Sequence, residues 1–388
     1  MEFILLLTFY FSAFVIFFAM IGYPISLKFL KKVYKNRKLK KDYTYQPTVT
    51  VMVVAHNEEK VIYEKLENII KLDYPKDKIE FLIASDNSVD RTNEIVKEFI
   101  KNNPEYKIRL FQVQQRKGKT NAQNEAQKTV KSEILVMTDA NSILESNSVK
   151  ELVAAFTSNT INYVSGRLVY INENHSGVTS SENIYWDSDT QLRKIESDIQ
   201  TITAGNGAIY ACRNAEYHDF EPIKSHDGNM PRYYALNGKK ALYNADAIAY
   251  EKAGEVIEDE FKRKVRMNRN ILKNILPSIH ILNVFRYRWF SYFYLGHRTS
   301  RYLLWLAHLL LFISNVLLVS EHWFYLITFM GQIIFYLLAL LKVITKSNNK
   351  YLTLIYYYCV TVLAQWVGVY NMLTGKAKPF WEKAESTR

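Results

Sequence analysis

Four groups of polar residues recur between residues 55 and 141, and each follows a short apolar run. Carboxylates and amides can accept hydrogen bonds from a base or a ribose, and lysines can neutralise phosphates. Asp139 and Asn141 are two residues apart, so their oxygens can hold a hard divalent ion, Mg²⁺ or Mn²⁺. Lys119 can add a positive charge beside the phosphates of a nucleotide ligand. The four groups are Ala55-His56-Asn57-Glu58-Glu59, Ser85-Asp86-Asn87-Ser88-Val89-Asp90, Arg116-Lys117-Gly118-Lys119 and Thr138-Asp139-Ala140-Asn141.

Each group taken alone has a simpler explanation. Asp86 and Asp90 can cap a turn and the helix after it, and Lys117 and Lys119 can be solvated surface residues. Four such groups at four consecutive strand ends favour one shared site. Neither G-x-G-x-x-G nor G-x-x-x-x-G-K-[ST] stands there, which argues against a dinucleotide enzyme and a P-loop ATPase.

The elements that must position these groups follow from the apolar pattern. The run at 48–55 is almost continuously apolar, which is typical of a strand buried on both faces of a parallel sheet. Strands that alternate with helices predict an α/β domain with a mostly parallel sheet, in which ligands bind beyond the carboxyl ends of the strands. The predicted strands are 48–55, 78–85, 107–113 and 133–139, and the predicted helices are 58–71, 91–102 and 119–130.

A second set of charged residues lies further along the chain. Arg263, Arg266 and Arg269 recur every third residue, which would place them on nearly one face of a helix. They can clamp phosphates, or they can form a basic face towards a membrane. His56, His226 and His297 match no zinc-ligand spacing, and Cys212 and Cys359 are too far apart to indicate a disulfide framework, so we expect neither.

Membrane segments are predicted at both ends of the 388-residue chain. Residues 3–27 carry no charge and are long enough to cross a bilayer. A cleavable signal peptide is the alternative, but the run is long for one and no basic region precedes it. Lysine and arginine are dense at 28–41, which predicts an external N-terminus and a cytosolic domain after it.

Apolar runs return at 302–319, 322–343 and 351–373. Simple alternation of crossings puts the tail outside, whereas its own basic residues favour the inside, unless one run lies in the interface or re-enters. The chain is predicted to be a multi-pass protein of the plasma (inner) membrane. Its parts are a transmembrane helix at 1–27, a basic linker at 28–46, a catalytic domain at 47–275, an interfacial amphipathic segment at 276–301, transmembrane helices at 302–375 and a basic tail at 376–388.

The formal net charge of +12 suggests anionic partners such as nucleic acid, lipid headgroups or phosphorylated substrates. Arginines and aromatic residues are interleaved at 284–305, and such a segment can stack on nucleic-acid bases. An interfacial helix is favoured instead, because apolar runs follow at once. Much of the positive charge is then juxtamembrane, and membrane lipids rather than nucleic acid are the expected partners.

These residues together resemble family 2 glycosyltransferases of the cellulose synthase, hyaluronan synthase and poly-N-acetylglucosamine synthase type, over nearly the whole chain. The resemblance implies a GT-A fold, a nucleoside-diphosphate sugar donor with UDP as the expected nucleotide, a divalent cation and inversion at the anomeric carbon. By the same resemblance Asp86 lies near the base, and Asn141 replaces the second aspartate of a D-x-D metal motif. Donor-site residues would include Ala55, Asn57 and Glu58, and the acceptor side would include Gly205, Asn206 and Gly207.

Two segments resemble the family pattern with departures. In Ser225–Pro231, Asp227 takes the position of the general base, and His226 replaces the acid that usually precedes it. Residues 263–267 fall where processive synthases carry Q-x-x-R-W: Arg266 matches the arginine, Arg263 replaces the glutamine, and Met267 on the acceptor side replaces the tryptophan. An aromatic face holds a polymer end well, so Met267 favours the addition of one or a few sugars.

The sequence therefore predicts an inverting, metal-dependent glycosyltransferase that acts on a glycan or lipid-linked acceptor. Asp227 would accept the proton of the acceptor, while the metal ion on Asp139, Arg266 and Lys119 would stabilise the leaving diphosphate. Transfer to a polyprenyl phosphate is an open alternative. A sugar-phosphate nucleotidyltransferase usually has a Gly-rich basic loop that residues 55–59 lack, and a transporter would carry ionisable residues within its spans, where this chain has almost none.

Overall fold

An eight-stranded sheet forms the centre of the computed structural model, which describes residues 2–171, 189–252, 257–347 and 349–379. The strands predicted from the sequence correspond to the first four, and their bounds agree to within one residue. The strands are β1 Val49–Ala55, β2 Ile79–Ser85, β3 Ile108–Gln112, β4 Ile134–Asp139, β5 Ile143–Leu144, β6 Ile161–Tyr170, β7 Ile209–Arg213 and β8 Lys240–Glu251.

The strand order is β3-β2-β1-β4-β7-β6-β8-β5. Strands β1 to β4 are mutually parallel, and β6 is parallel to β8, whereas β7 runs antiparallel to both of its neighbours. Ala55 pairs with Ser85 and Val54 with Asp139, so the first, second and fourth polar groups leave the sheet at the same edge. The mostly parallel α/β class is confirmed.

Helices cover both faces of the sheet because β1 is buried on both. Its odd-numbered residues, such as Val51, pack with helix α3 (Ile62–Ile69) and helix α4 (Thr92–Asn102). Its even-numbered residue Met52 packs on the opposite face with helix α5 (Lys119–Gln127). The predicted helix at 58–71 begins only at Ile62, because the residues before it are bonded into the neighbouring loop. Further helices are α6 Ser148–Ala154, α7 at 189–199 and α8 His226–Leu236.

The remaining helices lie at the two ends of the chain. The N-terminal end contains α1 (Glu2–Phe17), a π-helical turn and α2 (Tyr23–Val33). The C-terminal helices are α9 Ile257–Met267, α10 Ile271–Ile275, α11 Val284–Tyr287, α12 Trp289–Phe293, α13 Ser300–Tyr302, α14 Leu304–Leu318, α15 Trp323–Thr345 and α16 Lys350–Leu373.

Three helices of the described residues are long and apolar enough to cross a membrane: Glu2–Val33, α15 and α16. A fourth candidate is the pair Trp289–Tyr302 and Leu304–Leu318, which is bent by 60°. The predicted span at 302–319 is therefore one arm of a bent helix pair. Phe9 packs with Leu318, and Ala19 packs with Leu304, so α1 and α14 run in opposite directions.

Buried contacts fasten the apolar helices to the sheet domain. Tyr23 of α2 donates a 2.6 Å hydrogen bond to Glu196 of α7, and Glu196 also lies 2.5 Å from Nδ1 of His297. At the C-terminal end, Arg269 Nη1 donates to the carbonyl oxygen of Pro379 at 2.9 Å. That contact places the start of the predicted basic tail beside the turn that follows α9, while residues 380–388 of the tail lie outside the described residues.

Candidate active site

The loops after β1 and β2 are cross-braced into one unit. Asn57 has a positive φ of 54°, a conformation that asparagine tolerates better than most residues. Its Oδ1 accepts from the amide of Val89 at 2.8 Å, and its own amide donates to Ser88 Oγ at 3.1 Å. The amide of the buried Glu58 donates to Thr92 Oγ1 at 2.8 Å. These predicted donor-site residues therefore build a rigid rim at the edge of the sheet.

Asp86 ties the third polar group to this rim. Its carboxylate is only 3% exposed and accepts from the amides of Gly118 at 2.9 Å and Lys117 at 3.2 Å. Its own amide donates to Ala55 O at 2.9 Å. Because α5 begins at Lys119, Asp86 sets where that lysine projects. Its predicted place near a base remains a prediction.

Lys119 and Asp139 form an ion pair at the carboxyl edge. Nζ of Lys119 donates to Oδ1 of Asp139, and 30% of the Asp139 side chain stays exposed. Burial by itself would lower the pKa of Lys119, but the carboxylates of Asp139 and Asp227 raise that pKa above its usual value. Lys119 is therefore a permanent cation beside an accessible carboxylate.

Gly207 marks the point where the candidate groups meet. A Cβ placed on Gly207 would lie 3.1 Å from Lys119 Nζ, 3.5 Å from Asp139 Oδ2 and 3.9 Å from the carboxyl carbon of Asp227. The amide of Gly205 donates to the backbone oxygen of Asp227 at 2.8 Å, which joins this loop to the start of α8. One ammonium and two carboxylates from distant segments thus surround one small space.

The other residues of this loop shape it. A Cβ on Gly205 would lie 2.0 Å from the hydroxyl of Tyr163, so only glycine fits there. The buried Asn206 donates to Gly166 O at 2.6 Å and accepts from the amide of Ile209 at 3.2 Å. The Asn206 side chain therefore makes its hydrogen bonds to backbone groups around the loop. Gly207 is the loop residue that borders the space between Lys119, Asp139 and Asp227.

His226 is a structural residue at the start of α8. It is 1% exposed, with Nδ1 2.8 Å from Gln123 Oε1 and Nε2 2.8 Å from the Tyr217 hydroxyl. Burial, assisted by the charge of Lys119, lowers its pKa to about 3, so His226 is neutral. The next residue, Asp227, is the one that borders the space at Gly207.

A divalent ion fits this site if a diphosphate completes its coordination. The carboxylate of Asp139 is accessible, and the half-buried Asn141 follows two residues later. Among the described residues no group of three or more His, Cys, Asp and Glu is placed to hold a metal. Mg²⁺ is commonly held by one or two carboxylates together with substrate phosphates, and the residues present match that arrangement.

The three arginines do not share one helical face. α9 ends at Met267, so Arg269 lies beyond it, and the expected continuous face is wrong for this residue. Asn268, the residue after α9, is packed against Gly368 of α16. Arg263 binds Glu260 at 2.6 Å, while Arg266 is half-buried and Met267 is 54% exposed. Burial lowers the pKa of Arg269, and the carboxylate of Asp227 raises it.

Lys65 is a residue near the site that the sequence interpretation missed. It is fully buried in α3, and its Nζ donates to Thr138 Oγ1 at 2.9 Å and to Ser142 O. It thereby holds the turn that carries Asp139 and Asn141. Burial lowers its pKa to about 7, against the opposing effect of nearby carboxylates. The available signal was a lysine at a core-facing position of an amphipathic helix.

Comparison with known proteins gives the family that the sheet domain matches. Residues 50–219 match the family model for glycosyl transferase family 2, so the chain contains a family 2 glycosyltransferase domain. Probable glycosyltransferase YdaM of Bacillus subtilis is 36% identical over 28% of this chain and 26% of its own length. Beta-monoglucosyldiacylglycerol synthase of Nostoc sp. is 31% identical over 32% of this chain and 27% of its own length. The chain thus aligns with about a quarter of the length of these curated relatives.

A solved structure extends the likeness beyond that domain. A mannosyltransferase from Pyrobaculum calidifontis, in complex with GDP-Man and Mn²⁺, superposes with a TM-score of 0.70 at 19% identity. The match covers 94% of this chain and 99% of the mannosyltransferase. At this identity the likeness concerns the fold, and the predicted GT-A-like domain with apolar C-terminal helices is confirmed.

Proposed function

We propose that this chain, which contains a family 2 glycosyltransferase domain, transfers a sugar from a nucleoside-diphosphate sugar to a lipid or lipid-linked acceptor at a membrane. UDP is the first candidate nucleotide. The observation that carries the proposal is the meeting of Lys119, Asp139 and Asp227 around Gly207. A cation beside one carboxylate suits a diphosphate, and a second carboxylate across the same space suits the acceptor hydroxyl.

The proposed reaction is a single displacement at the anomeric carbon. Asp227 takes the proton of the acceptor hydroxyl, and the oxygen forms a bond to that carbon. The bond between the carbon and the diphosphate oxygen breaks, and the nucleoside diphosphate leaves with the electron pair. Attack from the face opposite the leaving group inverts the configuration. Support for Asp227 as the base comes from its place at Gly207, and from the burial of His226 beside it.

Residues on the opposite side of the space from Asp227 would neutralise the negative charge of the leaving diphosphate. Asp139 and Asn141 would hold a divalent ion, Mg²⁺ or Mn²⁺, and such an ion neutralises charge on phosphate oxygens when bound. Lys119 remains protonated and lies beside Asp139, so it can donate to the same phosphates. Arg266 would add a second cation from α9.

A membrane acceptor is supported by the apolar surface next to the domain. Between residues 276 and 285, Phe285 is 92% exposed and Ile279 is 66% exposed, which suits contact with lipid. The similar Nostoc protein is named as a synthase of the glycolipid beta-monoglucosyldiacylglycerol. We propose a multi-pass protein of the plasma membrane with its catalytic domain in the cytosol, because the basic residues at 28–41 follow the first apolar helix.

The test is a donor and acceptor screen with the purified full-length protein in lipid nanodiscs. Radiolabelled UDP-glucose, UDP-galactose, UDP-N-acetylglucosamine and GDP-mannose are each offered with Mn²⁺ and either diacylglycerol or a polyprenyl phosphate. Label in the organic phase together with released nucleoside diphosphate would support the proposal. Asp227→Asn should slow transfer by about a hundredfold or more, whereas Asp77→Asn, at an exposed position before β2, should not. Absence of nucleoside diphosphate release with every donor would refute the proposed function.

A further inference from the structure

The helix that carries Arg266 packs against the last helix of the described chain. Tyr357 of α16 donates from its hydroxyl to Glu260 of α9 at 3.1 Å. The Lys264 ammonium lies 4.0 Å from the centre of the same tyrosine ring, a distance typical of a cation–π contact. α9 is therefore held by α16, which is an apolar helix.

A glycine allows the closest contact between these helices. A Cβ on Gly368 of α16 would lie 2.7 Å from Cβ of Asn268 and 2.8 Å from its backbone oxygen. Asn268 is buried, and its side chain donates to Lys264 O at 2.9 Å at the end of α9. Any larger residue at position 368 must push the end of α9 away, because backbone atoms cannot rotate aside.

A buried charge cluster strengthens the same contact. Glu260 is 4% exposed and binds Arg263 at 2.6 Å and Lys264 at 3.4 Å, in addition to Tyr357. Burial would raise the pKa of Glu260, but the two cations and the tyrosine hydroxyl lower it, so the carboxylate stays ionised. An ionised buried carboxylate requires all of its partners, since the loss of one leaves charge without compensation.

We propose that α16 is a positioning element of the active site, and that Gly368 and Tyr357 hold α9 where Arg266 can reach the leaving diphosphate. This inference rests on the proposed function. The turn after α9 lies near the same site: burial lowers the pKa of Arg269, and the carboxylate of Asp227 is close enough to oppose that effect. A displacement of about 1 Å at such a site typically costs on the order of a hundredfold in rate. An apolar helix at the membrane would thus set the geometry of donor binding.

The experiment compares two pairs of variants in nanodiscs. Gly368→Ala is matched with Gly331→Ala, because a Cβ on Gly331 of α15 meets no atom within 4 Å. Tyr357→Phe is a milder change, and it is matched with Tyr351→Phe on the same helix, where the tyrosine is 66% exposed. The readouts are Kd for UDP and for GDP with Mn²⁺, the donor KM against kcat, and amide hydrogen exchange over residues 257–268.

Gly368→Ala should raise the nucleotide Kd and the donor KM by about tenfold or more and speed exchange in α9. Tyr357→Phe should raise Kd by about three- to tenfold, which corresponds to the net contribution of an ordinary hydrogen bond. The controls should stay within about twofold of wild type. Faster exchange in α9 with unchanged Kd and KM would overturn the inference, and so would unchanged exchange and binding in both test variants. Failure of the wild-type protein to bind either nucleotide would refute the proposed function itself, and the inference with it.

Discussion

Substitution of Gly207 by alanine is the smallest change that enters the proposed reaction space. The new methyl carbon would lie 3.1 Å from Lys119 Nζ, 3.5 Å from Asp139 Oδ2 and 3.9 Å from the carboxyl carbon of Asp227. The backbone of Gly207 does not have a left-handed φ, so alanine is compatible with its conformation. The effect of the change is therefore confined to the site.

The substitution should lower the free energy of unfolding only slightly, but it should lower kcat/KM strongly. The nearest atom is the end of a flexible lysine, which must retreat by about 0.5 Å to restore an ordinary contact, at about 1 kcal/mol or less. A donor pushed back by about 1 Å should lose on the order of a hundredfold in kcat/KM, which is about 2.7 kcal/mol of barrier.

The assay measures kcat/KM for release of nucleoside diphosphate, with a thermal unfolding curve for each protein. Gly331→Ala serves as the control, because its methyl group meets open space. An alanine variant at 207 with kcat/KM within threefold of wild type would refute the geometry proposed here. Equal losses of activity and thermal stability would show instead that the substitution acts on folding.

Further predictions concern the charged groups and the membrane orientation. Asp227→Asn should lower kcat by about a hundred- to ten-thousandfold and leave the Kd of the nucleotide unchanged, as measured by single-turnover kinetics and equilibrium binding. Asp139→Asn should weaken Mn²⁺-dependent nucleotide binding, and wild-type activity that persists in excess chelator would contradict this role. Burial lowers the pKa of Lys65 to about 7, while the unfolded chain keeps that proton up to the ordinary value of 10.5. The unfolded state then binds more protons between these pH values, so wild-type stability should gain up to about 1.4 kcal/mol per pH unit as pH rises through this window. The stability of Lys65→Met, measured by thermal unfolding at each pH, should not show that rise. A cysteine at Asp77 should resist impermeant thiol reagents in intact cells, and ready labelling would contradict a cytosolic domain.

Much of the sheet domain could be predicted because apolar periodicity is a local property. The short apolar runs that mark β1 to β4 depend on the residues of each strand alone. The polar groups after them needed only the rule that ligands bind at the carboxyl edge of a parallel sheet. β7 was not among the predicted strands, because five residues after a glycine-rich turn carry little periodic signal.

The sequence by itself determined the kinds of residue at the site, the strand ends that present them and the apolar segments at both ends of the chain. Tertiary structure alone decided which distant residues meet. The space at Gly207, the buried Lys65 beneath the turn of Asp139, and the packing of Gly368 on Asn268 each join segments that are far apart in the chain. Such contacts depend on how helices and sheet pack as whole bodies, and no local pattern of residue types records that packing.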